Sequence, residues 1–510
     1  MTIPDAPSPR RLKTVHDVRP TRAARTVLCG ALLALLGGCA VGPDFRAPVL
    51  PQEAGYRADA VPTATASADT PTGDAQRFLQ GEDVPAQWWT SFANDEINRR
   101  VEQALANSPT VASAQAALRQ AQENAGAARG GLFPSIDASL GANRQKSPVA
   151  ATASPYTIHN ASIDVGYTLD LFGGVRRGIE AQSALADYQR FQLDATYLSL
   201  AANVVTTSIL EASLREQIRA TAEIADVYQE QFSLVDRQFR TGAKSQGDVL
   251  FAQSQVASAN AQLPALRKAL ARTQTQLAVY LGRFPSQAEL EAVDLDAMSL
   301  PTGIPLSLPS TLVRQRPDIR AAEAQLHAAS ARVGIATANL FPTISLSGSF
   351  GSQAQDSSDL FGSSSEAWSL GLNLLQPIFR GGTLRAQKRA AEAGLDKAAA
   401  DYRTTLLSAF QNVADSLRAL ELDAEGLVAQ TSAASATANS LELTRKQYAD
   451  GSVAYLQVLD ATRLYQQARL GVIDARATRL ADTAALFAAL GGGFGDDQPA
   501  LATDNEAGIP

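Results

Sequence analysis

One pattern occurs twice in this 510-residue chain, and that duplication limits the fold more than any other feature. A helical stretch opened by Asn107, Ser108 and Pro109 closes at Leu132-Phe133-Pro134. A second, opened by Arg316, Pro317 and Asp318, closes at Leu340-Phe341-Pro342. Pro109 to Pro134 and Pro317 to Pro342 each span 25 positions, at an offset of 208. Asp170-Leu-Phe-Gly-Gly is echoed by Pro377-Ile-Phe-Arg-Gly-Gly. Gly242, Val249-Leu250 and Leu281-Gly282 return as Gly451, Val458-Leu459 and Leu490-Gly491, at an offset of 209. A drift of one residue over some 200 marks a tandem duplication, so what one half builds the other builds again.

Each copy reads as helix, two strands, long helix, tight turn, helix. Strands fall near 135–146 and 158–170 in the first copy: Ile136, Ala138, Leu140 and Ala142 alternate with small or polar residues, as do Ala161, Ile163, Val165, Tyr167 and Leu169. The second copy has Ile344, Leu346, Gly348 and Phe350, then Trp368, Leu370, Leu372 and Leu374, near 343–353 and 366–379. Period-2 alternation over about ten residues between Gly/Ser loops is the pattern of transmembrane β-strands. The helical parts are long. No Pro or Gly interrupts 179–239, and only Gly426 interrupts 395–448. A run of ~60 helix formers makes a rod of about 90 Å, and its many charges exclude a lipid setting. Ile209, Leu210, Leu214, Ile218 and Ala222 mark a coiled-coil seam. Gly242 and Gly451 stand where a C-terminal helix cap is expected.

Four strands cannot close a barrel, and an open edge inside a bilayer leaves backbone groups unpaired at several kcal/mol each. Closure therefore calls for further copies of the chain. Two would give eight strands, with an interior filled by side chains. Three would give twelve, the smaller number being the less suited to a passage.

The amino terminus reads as a targeting segment. Residues 1–26 carry six Arg or Lys, and an apolar run of about ten residues follows from Val27 to Leu36, too short to span a bilayer. It ends in Leu36-Gly37-Gly38-Cys39, which resembles the bacterial lipobox. Residues 1–38 are then a signal peptide, cleaved before a lipidated Cys39, and Ala40 in place of Asp favours the outer membrane under the enteric sorting rule. Residues 39–94 read as an N-terminal extended segment, 95–284 as repeat 1, 285–315 as an inter-repeat segment, 316–490 as repeat 2, and 491–510 as a flexible tail.

The lipobox, Trp88-Trp89 with Phe92, the duplicated Phe-Pro strands and the two Gly-turn hairpins together resemble the TolC-like outer-membrane efflux proteins, in particular their OprM/NodT-type lipoprotein branch. The resemblance covers Cys39 to about Gly493. It implies a mainly α fold with membrane β: a homotrimer whose twelve strands form an outer-membrane β-barrel, continued by a periplasmic α-helical barrel, with a belt built from 285–315 and the C-terminal residues. It also implies a gate on the second hairpin, with Leu456 on a constricting apolar ring and Asp460 on an aspartate ring. Arg463 falls on a polar tether, and Tyr448 and Asp248 fall where the family makes an interhelical hydrogen bond. From spacing alone, Leu456 reads equally as coiled-coil core, Asp460 as a solvated helix face, and Tyr448 and Asp248 as separate surface residues. Val453 and Gln457 stand where the TolC branch has an Arg and a further Asp, so a double aspartate ring is not expected.

Enzyme chemistry finds no support. His16 leaves with the signal, His159 falls in a strand or loop, and His327 sits alone on a helix. No nucleophile–base pair, phosphate-binding loop or metal-ligand spacing occurs, so no catalytic, metal or cofactor residue is expected. With 44 Lys+Arg against 51 Asp+Glu and no basic domain, nucleic acid is not an expected partner. The reading is a passive exit duct for small molecules such as drugs. Its energy would come from an inner-membrane pump of the resistance–nodulation–division type, joined by a periplasmic adaptor. The alternatives are a duct for protein or polysaccharide export and a lipid-anchored helical scaffold without a pore.

Overall fold

The computed structural model describes residues 40–49, 55–146, 155–287 and 290–492. The signal peptide, Cys39 and residues 493–510 lie outside the described residues. In order, the elements are β1 (Arg77–Gln80), α1 (Asp95–Asn107), α2 (Pro109–Gly130), β2 (Ser135–Gln145), β3 (Tyr156–Leu169), α3 (Gly174–Arg240) and α4 (Gln246–Tyr280). Then come β4 (Gly303–Leu306), α5 (Pro309–Gln315), α6 (Pro317–Ala338), β5 (Thr343–Ala354), β6 (Glu366–Leu375), α7 (Thr383–Ala449) and α8 (Tyr455–Ala489). The duplication is visible in the lengths. Helices α2 and α6 have 22 residues each, α3 and α7 have 67, and α4 and α8 have 35. Sixty-seven residues make a rod of about 100 Å.

The chain divides into two compact units. The first (1–43, 129–179 and 331–390) contains an antiparallel sheet in the order β2-β3-β5-β6. Its register sorts the side chains cleanly, because successive residues point to opposite faces. Ile136 opposes Val165, Ile163 opposes Phe350, and Phe350 opposes Trp368, so these residues share one face with Leu140, Leu346, Leu370 and Leu372. Most of them are exposed: Trp368, Leu370 and Leu372 each keep more than 70 % of their surface. The opposite face carries Asp137, Ser139, Ser162, Asp164, Ser345, Ser347, Ser349 and Asn373. β2 pairs only with β3, and β6 only with β5, so both outer edges are unpaired among the described residues. β6 stops at Leu375, short of 379, because Pro377 has no amide hydrogen to give to a ladder.

The second unit (44–128, 180–330 and 391–510) is helical, and its mainly aliphatic core holds one aromatic cluster. Trp88 is fully buried against Trp89, Phe92 and Phe487, with ring centroids about 6 Å away. Gly491 and Gly492 close α8 with the same turn that Gly282 gives α4. The amide of Gly492 donates to the Phe487 carbonyl at 3.0 Å, and that of Arg283 to the Ala278 carbonyl at 2.8 Å. Both glycines thus belong to a helix cap and not to the tail. Within the inter-repeat segment, β4 pairs in parallel with β1, a two-stranded element that no periodicity announced. The coiled-coil seam holds at Ile209 and Leu214, which are buried, whereas Leu210 is half exposed.

Buried charge ties this unit together. Arg100 of α1 is enclosed, as is Glu211 of α3, and they pair at 2.8 Å. Arg100 also donates to Glu96, Ser208 and the Glu291 carbonyl, so each of its nitrogens is satisfied. Such satisfaction is what makes a buried pair tolerable. His327 is not alone on its helix: its ring stacks on Phe45 at 4.3 Å and its Nε2 lies 3.0 Å from Glu180.

Candidate channel gate

Two helical hairpins, α3–α4 and α7–α8, end in equivalent turns. Gly242 has φ +79° and Gly451 +74°, in the left-handed region that only Gly enters without strain. Gly242 donates to Phe239 and Ala243 to Gln238, while Gly451 donates to Tyr448 and Ser452 to Gln447. This pairing satisfies the last helix carbonyls and reverses the chain within a few residues. An apolar cluster packs all four helices just behind the turns: Ile224 and Tyr228 of α3, Ala252 of α4, Leu441 of α7, and Tyr455, Val458 and Leu459 of α8.

Leu456 and Asp460 lie one helical turn apart on α8, both 59 % exposed, with Leu464 a further turn along the same face. They line a cleft of about 620 Å³, with Phe251 and Gln255 of α4 and Ser440, Thr444 and Gln447 of α7. Leu456 and the exposed Phe251 give this cleft an apolar side. Asp460 does not stand as a bare carboxylate. Arg463 Nη2 donates to its Oδ1 at 2.9 Å, so the expected ring member and the expected tether form one ion pair on one helix.

The expected Tyr448–Asp248 hydrogen bond is not formed, and its absence has a local cause. Asp248 caps its own helix: its carboxylate accepts from the Ser245 amide at 2.9 Å and hydroxyl at 2.8 Å, while Ser245 Oγ accepts from the Asp248 amide. The Ser-x-x-Asp spacing at 245–248 was a legible signal for this. Together with the charge of Lys244, these bonds hold the Asp248 carboxyl below its usual range. Tyr448 packs its ring on Tyr455 instead, at 5.4 Å. Lys244, from the turn of the first hairpin, places its ammonium over both rings, a contact that sequence reasoning missed.

Among the described residues, no group of three or more His, Cys, Asp or Glu is arranged to hold a metal, and no helix is long and apolar enough to cross a membrane.

These features meet their counterparts in known proteins. The outer membrane efflux protein family profile matches residues 101–283 and 308–492. The pyoverdine export outer membrane protein OpmQ of Pseudomonas aeruginosa is 33 % identical over 431 residues, covering 82 % of this chain and 89 % of that protein. The antibiotic efflux pump outer membrane protein ArpC of Pseudomonas putida is 30 % identical over 470 residues, covering 90 % and 94 %. The solved outer-membrane channel OprN superposes with a TM-score of 0.80 at 28 % identity, covering 89 % of this chain and all of that one. The two matched stretches fall one on each copy of the duplication, and together with the sheet and the paired hairpins they show that the chain belongs to the outer membrane efflux protein family, whose members are TolC-like channels of the outer membrane.

Proposed function

We propose that three copies of this chain close a twelve-stranded barrel in the outer membrane and form the passive exit duct of a tripartite efflux system. The observation that carries this reading is the sheet: apolar and uncovered on one face, polar on the other, with two open edges. An apolar face of this kind belongs in lipid, and the edges there require partners. Three four-stranded sheets joined β6 to β2 supply them and leave the Ser/Asp/Asn face lining water. The protein is a conduit and not an enzyme. Small molecules are its cargo, in keeping with the pyoverdine and antibiotics in its relatives' names. A periplasmic adaptor and an inner-membrane pump of the resistance–nodulation–division type supply docking and energy.

The gate lies at the tip of the second hairpin. On a three-fold axis Leu456 becomes an apolar collar, and the Asp460–Arg463 pair one turn away a charged one. Gly242 and Gly451 let the hairpins turn sharply enough to converge there. Lipid attachment at Cys39 fits the next residues along the chain. Val41 donates to the Phe172 carbonyl at 3.1 Å and accepts from Arg177, so the chain is held where β3 gives way to α3, at one end of the sheet.

Planar-bilayer conductance of the purified protein tests this, with wild type beside Asp460→Ala. A low-conductance wild type and a more open variant are expected. Equal conductance in both would move the gate away from Asp460. Silence in both, from protein shown to be folded, would overturn the duct.

A further inference from the structure

The contact that takes the place of the expected Tyr448–Asp248 bond has its own chemistry. Lys244 belongs to the short turn between α3 and α4, whereas Tyr448 and Tyr455 flank the turn between α7 and α8. Its Nζ lies 5.8 Å from the Tyr448 ring centroid and 5.5 Å from that of Tyr455. Both distances fall within the range in which a cation is drawn to an aromatic face. One ammonium therefore spans the two hairpin tips and holds two rings that also hold each other. Asp248, the acidic residue nearest in sequence, feels the Lys244 charge but makes its hydrogen bonds to Ser245.

The cage has a built-in opposing force. Tyr455 keeps 6 % of its surface, and its hydroxyl is buried without a hydrogen-bond partner among the described residues. A buried, unpaired hydroxyl costs free energy that hydration would return. Burial pushes the Tyr455 phenol up to about 12, so the ring stays neutral and binds the cation through its face alone. Parting the tips would strip Lys244 from two rings but let water reach the Tyr455 hydroxyl. The two effects oppose one another, as the two sides of a two-state element do.

We infer that Lys244 is the latch of this duct: a positioning residue that ties the tip of the first hairpin to the second through Tyr448 and Tyr455, with the buried, unpaired Tyr455 hydroxyl acting as the spring that favours opening. This inference rests on the reading of the α7–α8 tip as a gate.

The two halves of the latch make predictions of opposite sign, which a general weakening of the tip would not. Open probability is measured in planar bilayers for wild type, Lys244→Met, Lys244→Arg, Tyr455→Phe and Asp460→Ala, each first shown to keep its oligomer. Lys244→Met keeps the stem and removes the charge, and is expected to raise open probability about fivefold. Lys244→Arg retains the cation and should behave as wild type. Tyr455→Phe keeps the ring and removes the unpaired hydroxyl, so it should lower open probability by a similar factor. The latch is overturned if Lys244→Met matches wild type while Asp460→Ala opens, or if Met and Arg at 244 act alike. The spring is overturned if Tyr455→Phe opens the channel. If no variant moves open probability, Asp460→Ala included, the gate falls and the latch with it.

Discussion

Asp423 of α7 is half buried in the helical unit, with Oδ2 enclosed and without a donor among the described residues. It faces Asp482 of α8, and the positive charge near it is Arg479. The two terminal nitrogens of that guanidinium are turned elsewhere: Nη1 donates to the Thr72 carbonyl at 3.2 Å, and Nη2 to Thr65 Oγ1 and the Asp74 carbonyl. Burial first, then the Asp482 carboxylate, push the Asp423 carboxyl up to about 7, against a weaker pull from Arg479. Protonated Asp423 donates to Asp482; ionised, it faces a like charge. The native chain thus holds a proton that the unfolded chain releases near pH 4, so stability falls as pH rises from about 4 to about 7 and is level above that. Three pKa units correspond to about 4 kcal/mol, and partial exposure reduces this to about 2 kcal/mol per chain. Asp423→Asn keeps a donor toward Asp482 and removes the titration. Its stability gain over wild type should be near zero at pH 4 and about 2 kcal/mol at pH 8, a rise in melting temperature of roughly 2–3 °C for a unit of this size. Thermal unfolding followed by circular dichroism at both pH values measures it. An identical difference at pH 4 and pH 8, or a variant less stable than wild type at pH 8, would refute the shared proton.

Two further outcomes follow from the sheet. Leu370→Lys puts a charge on the apolar face at a cost of about 2–4 kcal/mol near the bilayer midplane, whereas Ser369→Lys, one residue away on the polar face, costs little; heat-resistant oligomer in membrane fractions should fall for the first variant and persist for the second. Asp137 and Asp164 oppose each other on the polar face, and no Lys or Arg of the four strands shares that face, so the lumen should favour cations. Replacing both by Asn should move the reversal potential under a salt gradient toward zero.

How much of this was legible in sequence depends on how local the cause is. Equivalent elements could be expected in advance, because Pro109/Pro317, Gly242/Gly451 and Gly282/Gly491 punctuate both copies at offsets of 208 or 209 residues. The strands were readable because Ile136 to Ala142 and Trp368 to Leu374 alternate over enough residues to establish a period. β1 and β4 were not, since four residues carry no periodicity and their pairing joins positions more than 220 apart. At the tips, the resemblance led to Leu456 and Asp460, and the structure exposes both on one face. It misdirected Tyr448 and Asp248, because the Ser245 cap takes the carboxylate first. Lys244 was invisible: its partners lie in the other copy, and a cation over a ring leaves no spacing signal. The Asp460–Arg463 pair was readable as an i, i+3 spacing, although the two were assigned separate roles.

Cysteine cross-linking in membranes tests whether the sheet is one third of a closed barrel. Ser369→Cys on β6 would be combined in one chain with Ser135→Cys, Ser139→Cys or Gly141→Cys on β2, all on the polar face. Head-to-tail pairing of β6 with the β2 of the next copy predicts that one of these combinations oxidises to a covalent species of three chains and no more, because three such contacts close a ring. Failure of every combination to join chains, or a ladder running past three, would contradict it.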